Sequence, residues 1–211
     1  MLPEQAHGKL LIFTAPSGAG KTTIVRHLLQ SFDGLAFSVS ATTRPARPGE
    51  VHGRDYYFLS KEEFMGRVAA GDFVEYEEVY PGRLYGTLHS ELHRNWARGN
   101  AVVFDIEVKG ATNIKAHYPE GSLAVFVAPP SREILFQRLR DRSTEDADSL
   151  RVRIARAGEE LGYRDRFDRV LVNDDLPTAL AEAERITREF LASQSVGHPR
   201  SDPGYHPPAG A

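Results

Sequence analysis

LLIFTAPSGAGKTT, Leu10 to Thr23, carries an apolar run of strand length into a glycine-rich turn that ends in Gly20-Lys21-Thr22. A buried strand delivers such a turn, and its glycines let backbone N–H groups converge on an anion. The helix that follows then points its positive end at the same place. In that arrangement Lys21 reaches the outer phosphates of a nucleoside triphosphate, and the Thr22 hydroxyl ligates Mg²⁺. The usual pattern, G-x-x-x-x-G-K-[ST], asks for glycine at position 15, where this chain has Ala15. The flanks restore the reading: Leu10–Phe13 is a strand-length apolar run, and Ile24, Val25, Leu28 and Leu29 recur at helical spacing.

The chain has 211 residues, 41% of them hydrophobic, enough for one α/β domain with inserts. Its net charge of −3 supplies no basic footprint for nucleic acid or membrane surfaces. Cysteine is absent, which excludes disulfides, thiolate nucleophiles and cysteine metal sites. The opening MLPEQAHGK holds no apolar stretch of signal-peptide length, and no segment is long enough to cross a membrane. The expectation is a soluble, cytoplasmic protein.

Apolar β-rich runs alternate with helical patterns along the chain, which predicts a parallel sheet flanked by helices. Strands are expected at 101–106, 123–127 and 169–172. Helices are expected at 109–116, at 131–140 (Ile134, Leu135 and Leu139 on one face) and at 177–191. Two segments interrupt the rhythm. Residues 40–100 yield shorter strand-like pieces at 57–59 and 73–79 and read as an inserted α/β binding lobe. Residues 138–166 are arginine-rich on a helical background, the composition of a lid over phosphates. Most of those arginines also read as a solvated face balanced by acids such as Glu159 and Glu160. The division is thus 9–39, 101–137 and 167–192 for the core, 40–100 for the lobe, 138–166 for the lid, and a disordered Pro/Gly/Ser/His-rich tail at 193–211.

Within the lobe, SVSATTRPARPGEVHGRDYYF, Ser38 to Phe58, places Arg44 and Arg47 in a loop punctuated by proline and glycine, with Tyr56 close behind. A planar fork of donors meets a phosphate bidentately, and tyrosine adds a neutral donor, so the trio suits a phosphate monoester clamp. His89 and His93 lie four apart on a predicted helix without a third metal ligand in view, and the same helix packs by Leu88, Leu92 and Trp96. The adjacent Glu77 and Glu78 read as solvated.

APSGAGKTT, the 38–58 run, FVEYEEV with LYGT, VFDIEVKGA and VLVNDD follow in order, and over about residues 9 to 191 the chain resembles guanylate kinases. That resemblance implies phosphorylation of GMP by ATP, with Mg²⁺ as cofactor. It sets Glu75 on the guanine base, with Ser40, Thr87 and Glu107 beside it; family members commonly carry aspartate at the last position. It sets Arg44, Arg47, Tyr56 and Tyr85 on the GMP phosphate. The ATP side takes Ala15, Pro16, Ser17, Gly18, Ala19, Gly20, Lys21, Thr22 and Thr23, with Arg138 and Asn173 toward the adenine. Lys21, Arg44, Arg142 and Arg153 form the implied catalytic set. Thr22 and Asp105 are the implied Mg²⁺ residues, partly through water. As local chemistry, Asp105 also reads as a cap on the next helix, and Asn173 as turn chemistry. YPGRL is one residue longer than the family's usual turn, and Pro81-Gly82 is the expected place for the extra residue. Two other functions stay open: a non-catalytic binding module on the same fold, and a P-loop kinase with a different phosphorylated acceptor. The sequence leaves monomer or homo-oligomer undecided.

Overall fold

Leu10–Thr14 forms β1, and all five of its side chains are buried. Such burial is expected of a central strand covered on both faces by helices. The structure, a computed structural model, describes residues 8–141 and 147–193. After β1 come α1 (Lys21–Ser31), β2 (Leu35–Phe37), β3 (Ala41–Thr42), β4 (Tyr57–Phe58), α2 (Lys61–Ala69), β5 (Phe73–Tyr80), β6 (Arg83–Leu88) and α3 (His89–Trp96). The chain continues through β7 (Ala101–Ile106), α4 (Val108–His117), β8 (Ser122–Ala128), α5 (Arg132–Asp141), α6 (Ala147–Leu161), β9 (Arg169–Val172) and α7 (Leu176–Ala192).

The main sheet runs β2-β7-β1-β8-β9, with every pair parallel. Strand alternation sorts its core into two faces. Leu11, Phe13, Val103, Val125 and Val127 pack with Ile24, Leu28, Leu135 and Leu139 on one side. Leu10, Ile12, Val102, Phe104 and Ala124 pack with Leu92, Trp96 and Ile114 on the other. The chain leaves β1 toward β2 and β7 and later returns to its other flank with β8. The crevice beyond the carboxyl end of β1 is therefore the switch point where such sheets bind ligands.

A second sheet, β4-β3-β6-β5, lies between residues 41 and 88 and pairs β6 antiparallel with both β3 and β5. Its core is Ala41, Phe64 and Leu88, with the Phe64 and Phe73 rings stacked at 4.4 Å. Helix α2, which the sequence reading did not mark, begins in a capping box: Glu63 N–H donates to Ser60 Oγ, and Ser60 N–H donates to the Glu63 carboxylate.

The strands expected at 101–106 and 169–172 have those bounds, and the remaining expected elements differ by a residue or so at their ends. Ile134 is a correction. It is 40% exposed, and Phe136 packs against the core beside Leu135 and Leu139 instead. The extra residue near 81 is also accommodated differently from the expectation. Gly82 turns at φ 75°, but the register opposes Glu78 to Leu84 and Tyr80 to Arg83, so the surplus is a bulge at Val79.

Candidate functional site

At the end of β1 the chain enters the glycine turn, where Gly18 and Gly20 take φ 88° and 94° and no non-glycine residue of the described chain has positive φ. Ala15 is therefore compatible with the loop. The position lacks the left-handed backbone that would demand glycine. Gly20 is the N-cap of α1, and a Cβ there would come 2.3 Å from Asn173 Nδ2. Asn173 is buried and donates from Nδ2 to the Ala19 carbonyl at 2.8 Å, so the segment after β9 braces the loop from behind. The Asn173 carbonyl accepts both Arg138 Nη1 and Nη2 at 3.2 Å.

Across the loop stands the end of β7. Lys21 Nζ donates to the Ile106 carbonyl at 2.7 Å and pairs with Asp105 Oδ1 at 2.9 Å. The Thr22 hydroxyl donates to Asp105 Oδ2 at 2.6 Å. Asp105 is thus tied to the loop, and the N-cap of α4 is Glu107 without a side-chain cap bond, which removes the capping reading of Asp105. Thr22 and Asp105 together offer hydroxyl and carboxylate oxygens, the hard donors that suit Mg²⁺. Among the described residues no group of three or more His, Cys, Asp or Glu side chains could hold a metal ion, and His89 and His93 belong to none.

These groups open on a cavity of about 760 Å³. Pro16, Ser17 and Thr23 line it with Ala15, Gly18, Gly20, Lys21, Thr22 and Asp105, while Ala19 is buried in the core. From the second sheet come Glu75 and Tyr85, from the segments flanking β3 and β4 come Ser40, Arg47 and Tyr56, and from just past β7 comes Glu107. Loop and lobe residues as far apart in sequence as Ala15 and Tyr85 thus share one space.

Glu75 follows a register shift between Phe73 and Glu75, the kind of bulge that re-aims a side chain. Gly86, opposite Tyr76, has no room for a side chain, since a Cβ would lie 2.7 Å from the Glu75 carbonyl oxygen. Thr87 is buried and donates from Oγ1 to Glu75 Oε1 at 2.9 Å. Burial raises the Glu75 pKa to about 7 despite that bond, because a charged carboxylate is costly away from water. Glu77 lies two residues on along the strand, also faces the cavity, and is likewise raised by burial. The solvated reading holds for Glu78, which accepts the Gly82 N–H at 2.6 Å, but fails for Glu77.

Arg44 is buried and points its fork at Glu50, with Nη1 at 2.7 Å from Oε2 and Nη2 at 2.9 Å from Oε1. Its guanidinium lies 5.0 Å from the Tyr56 ring centroid and 5.6 Å from that of Phe58. The guanidinium and the Arg47 backbone N–H hold Glu50 down to about 2, and Glu50 in turn raises Arg44. Arg44 therefore sits behind the cavity wall rather than in it, while Arg47 lines it. Sequence reasoning missed Glu50; the only local signal was an acid three residues beyond Arg47.

On α6, Arg153 Nη2 donates to Ser17 Oγ at 3.4 Å. Arg156 is part-buried and ion-paired to Glu160, contrary to the solvated-face reading of these two residues. Arg142 and the tail from 194 lie outside the described residues, and no described helix is long and apolar enough to cross a membrane.

A phosphate loop at the switch point of a parallel sheet, faced by a second sheet that aims a buried carboxylate into the same cavity, is the architecture of the P-loop nucleotide kinases. The guanylate kinase profile matches residues 7–190, and the chain belongs to the guanylate kinase family. The guanylate kinase of Bacteroides thetaiotaomicron is 49% identical over 188 residues, 89% of this chain and 92% of that protein. That of Salinibacter ruber is 50% identical over 184 residues, 87% and 97% of the two chains. The crystal structure of guanylate kinase from Anaplasma phagocytophilum aligns with a TM-score of 0.69 at 28% identity, covering 90% of this chain and 89% of that one.

Proposed function

We propose that this chain transfers the γ-phosphoryl group of ATP to GMP, giving ADP and GDP, with Mg²⁺ as cofactor. The observation that carries the acceptor assignment is Glu75, a buried carboxylate in the cavity shared with Lys21. Ionised, it accepts two parallel hydrogen bonds, which guanine supplies from N1–H and its 2-amino group. Adenine presents an acceptor at N1 and lacks the 2-amino donor. A buried charge left unpaired costs about 1–3 kcal/mol or more, and that difference discriminates the bases. Ser40, Thr87 and Glu107 complete the base end of the site.

Arg47, Tyr56 and Tyr85 meet the GMP phosphate from the cavity wall, and Arg44 swings from Glu50 or acts through it. Thr22 and Asp105 would hold Mg²⁺, partly through water, and the ion would neutralise charge on the transferring phosphates. Lys21 contributes a fixed positive charge on the ATP side. Arg153 and Arg142 add charge from 138–166, acting as a lid, and Arg138 and Asn173 border the adenine. No covalent protein intermediate is needed, because alignment and charge neutralisation supply the catalysis. The remaining divisions belong to the same reading: 40–100 is the acceptor lobe, and the setting is cytoplasmic.

The test is an ADP-release assay with Mg-ATP and GMP, AMP, CMP or UMP in parallel, repeated on Glu75→Gln. Turnover with GMP alone, lost or relaxed in the variant, is the expected result. Equal turnover with another monophosphate would overturn the guanine assignment, and no turnover with any acceptor would leave a binding module.

A further inference from the structure

Val79 is one of two residues that the β5–β6 ladder skips, the other being Val74. A bulged residue loses its cross-strand partner, so its carbonyl is available elsewhere. Arg156 takes it: Nη1 donates to the Val79 carbonyl at 2.7 Å. The same guanidinium lies 5.4 Å from the Tyr80 ring centroid, donates from Nε to Glu160 Oε1 at 2.9 Å, and reaches Glu107 Oε2 at 3.4 Å from Nη2. One side chain on α6 therefore touches the second sheet at β5, the end of the main sheet beside β7, and its own helix.

Three residues earlier on that helix, Arg153 reaches Ser17 in the phosphate loop. Residues three apart share a helix face, so fixing Arg156 fixes where Arg153 falls. Arginine is suited to the junction because its planar fork serves three acceptors in different directions, whereas a lysine ammonium is a point charge on a flexible stem. Glu160 holds the guanidinium in line, since its side chain is buried and ion-paired to Nε.

We propose that Arg156 is a positioning residue, a clasp between α6 and the Val79 bulge that sets Arg153 over the phosphate loop when both substrates are bound. The proposal rests on the phosphoryl-transfer reading and adds a residue and a backbone feature to it. Without the clasp, α6 samples positions away from the cavity, the transferring phosphates lose a placed charge, and water competes with GMP for the phosphoryl group.

The experiment compares the full chain with Arg156→Ala, Arg156→Lys and a variant lacking Val79. It measures GMP phosphorylation, ATP hydrolysis without GMP, Tm, and amide exchange at 79–80 and along α6. For Arg156→Ala the expected result is a kcat lower by about tenfold, with the transfer-to-hydrolysis ratio falling alike and KM for GMP within about twofold. Arg156→Lys recovers less than half of the loss, and removing Val79 reproduces it. A wild-type ratio in Arg156→Ala, whether or not Tm falls, overturns the clasp. If the unaltered chain fails to phosphorylate GMP, the functional reading fails separately. Exchange then decides the clasp by itself: protection lost at 79–80 in Arg156→Ala supports it, and protection kept overturns it.

Discussion

The Glu75 carboxylate lies directly against Gly110 on α4, where a Cβ would stand only 3.1 Å from Glu75 Oε2. One oxygen of Glu75 is held by Thr87, and the other is placed by the absence of a side chain at 110. Gly110→Ala should therefore move the carboxylate by a few tenths of an ångström. Misplacement on that scale raises KM for GMP by about three- to tenfold while KM for ATP holds. Tm should hold or rise, because alanine is favoured over glycine inside a helix by about 1 kcal/mol. Steady-state kinetics with each substrate varied, beside a thermal melt, checks both; an unchanged KM for GMP would show that the contact is slack.

Proton linkage follows from the same residue. Burial raises Glu75 from 4.5 to about 7, so its contribution to the stability of the free protein is full below pH 4.5 and is lost as pH rises through about 7. Guanine binding demands the opposite, ionised form. GMP should therefore bind with proton release below pH 7, and its stabilising effect should be larger at pH 8 than at pH 6. Calorimetry in buffers of differing ionisation enthalpy measures the release. The Glu75→Gln variant supplies the baseline for the phosphate's own titration, and equal proton release in the two proteins would refute the linkage.

Four strands of the main sheet and the phosphate loop could be read from residues because both are written locally, in apolar runs and in glycines followed by Lys21, whereas β2 went unread. The lobe was less legible. Strand β3 is two residues long, too short for periodicity; β4 was read as a strand-like piece, but the pairing of both is set by distant segments. Ser60 and Glu63 did spell a helix start that went unread. Glu77 was also legible in principle: Glu75, Glu77 and Val79 alternate along β5 and all line the cavity, which a strict period-2 reading would have placed together. The bulge at Val79 and the fork of Arg44 on Glu50 depend on register and packing, which no local pattern carries.

Ala15 and Gly20 should respond oppositely to small substitutions in the same loop. Ala15 has no positive φ to relieve, so Ala15→Gly should leave kcat within about twofold and cost at most about 1 kcal/mol, through the freer unfolded chain. Gly20→Ala meets both a φ of 94° and the Asn173 amide at 2.3 Å. Displacing that amide frees the loop from its brace at the Ala19 carbonyl, and kcat/KM for ATP should fall by about 100-fold. Kinetics with ATP varied at saturating GMP tests the pair; comparable losses in the two variants would contradict the backbone argument.

Glu91 predicts a stability effect away from the phosphates. Its carboxylate is 1% exposed and gathers donors from three elements of the lobe and its root: Val39 N–H at 3.3 Å, Tyr57 OH at 2.8 Å, and Arg94 Nη2 at 2.7 Å. Asn95 Nδ2 adds a further contact at 3.3 Å. Glu91→Ala takes the acceptor from the buried Val39 N–H and from Tyr57 OH and Arg94, while Asn95 Nδ2 keeps the backbone carbonyl at 91, and should cost about 3 kcal/mol. For a chain of this size that is a fall in Tm of roughly 6–12 °C. Because Val39 leads into Ser40, and Tyr57 follows Tyr56, KM for GMP should rise with it, whereas KM for ATP should not. Glu91→Gln keeps the shape and one of the two acceptor oxygens, so its loss should be about half as large. Thermal melts of the two variants decide the matter: if alanine proves as stable as glutamate, the network does not hold the lobe.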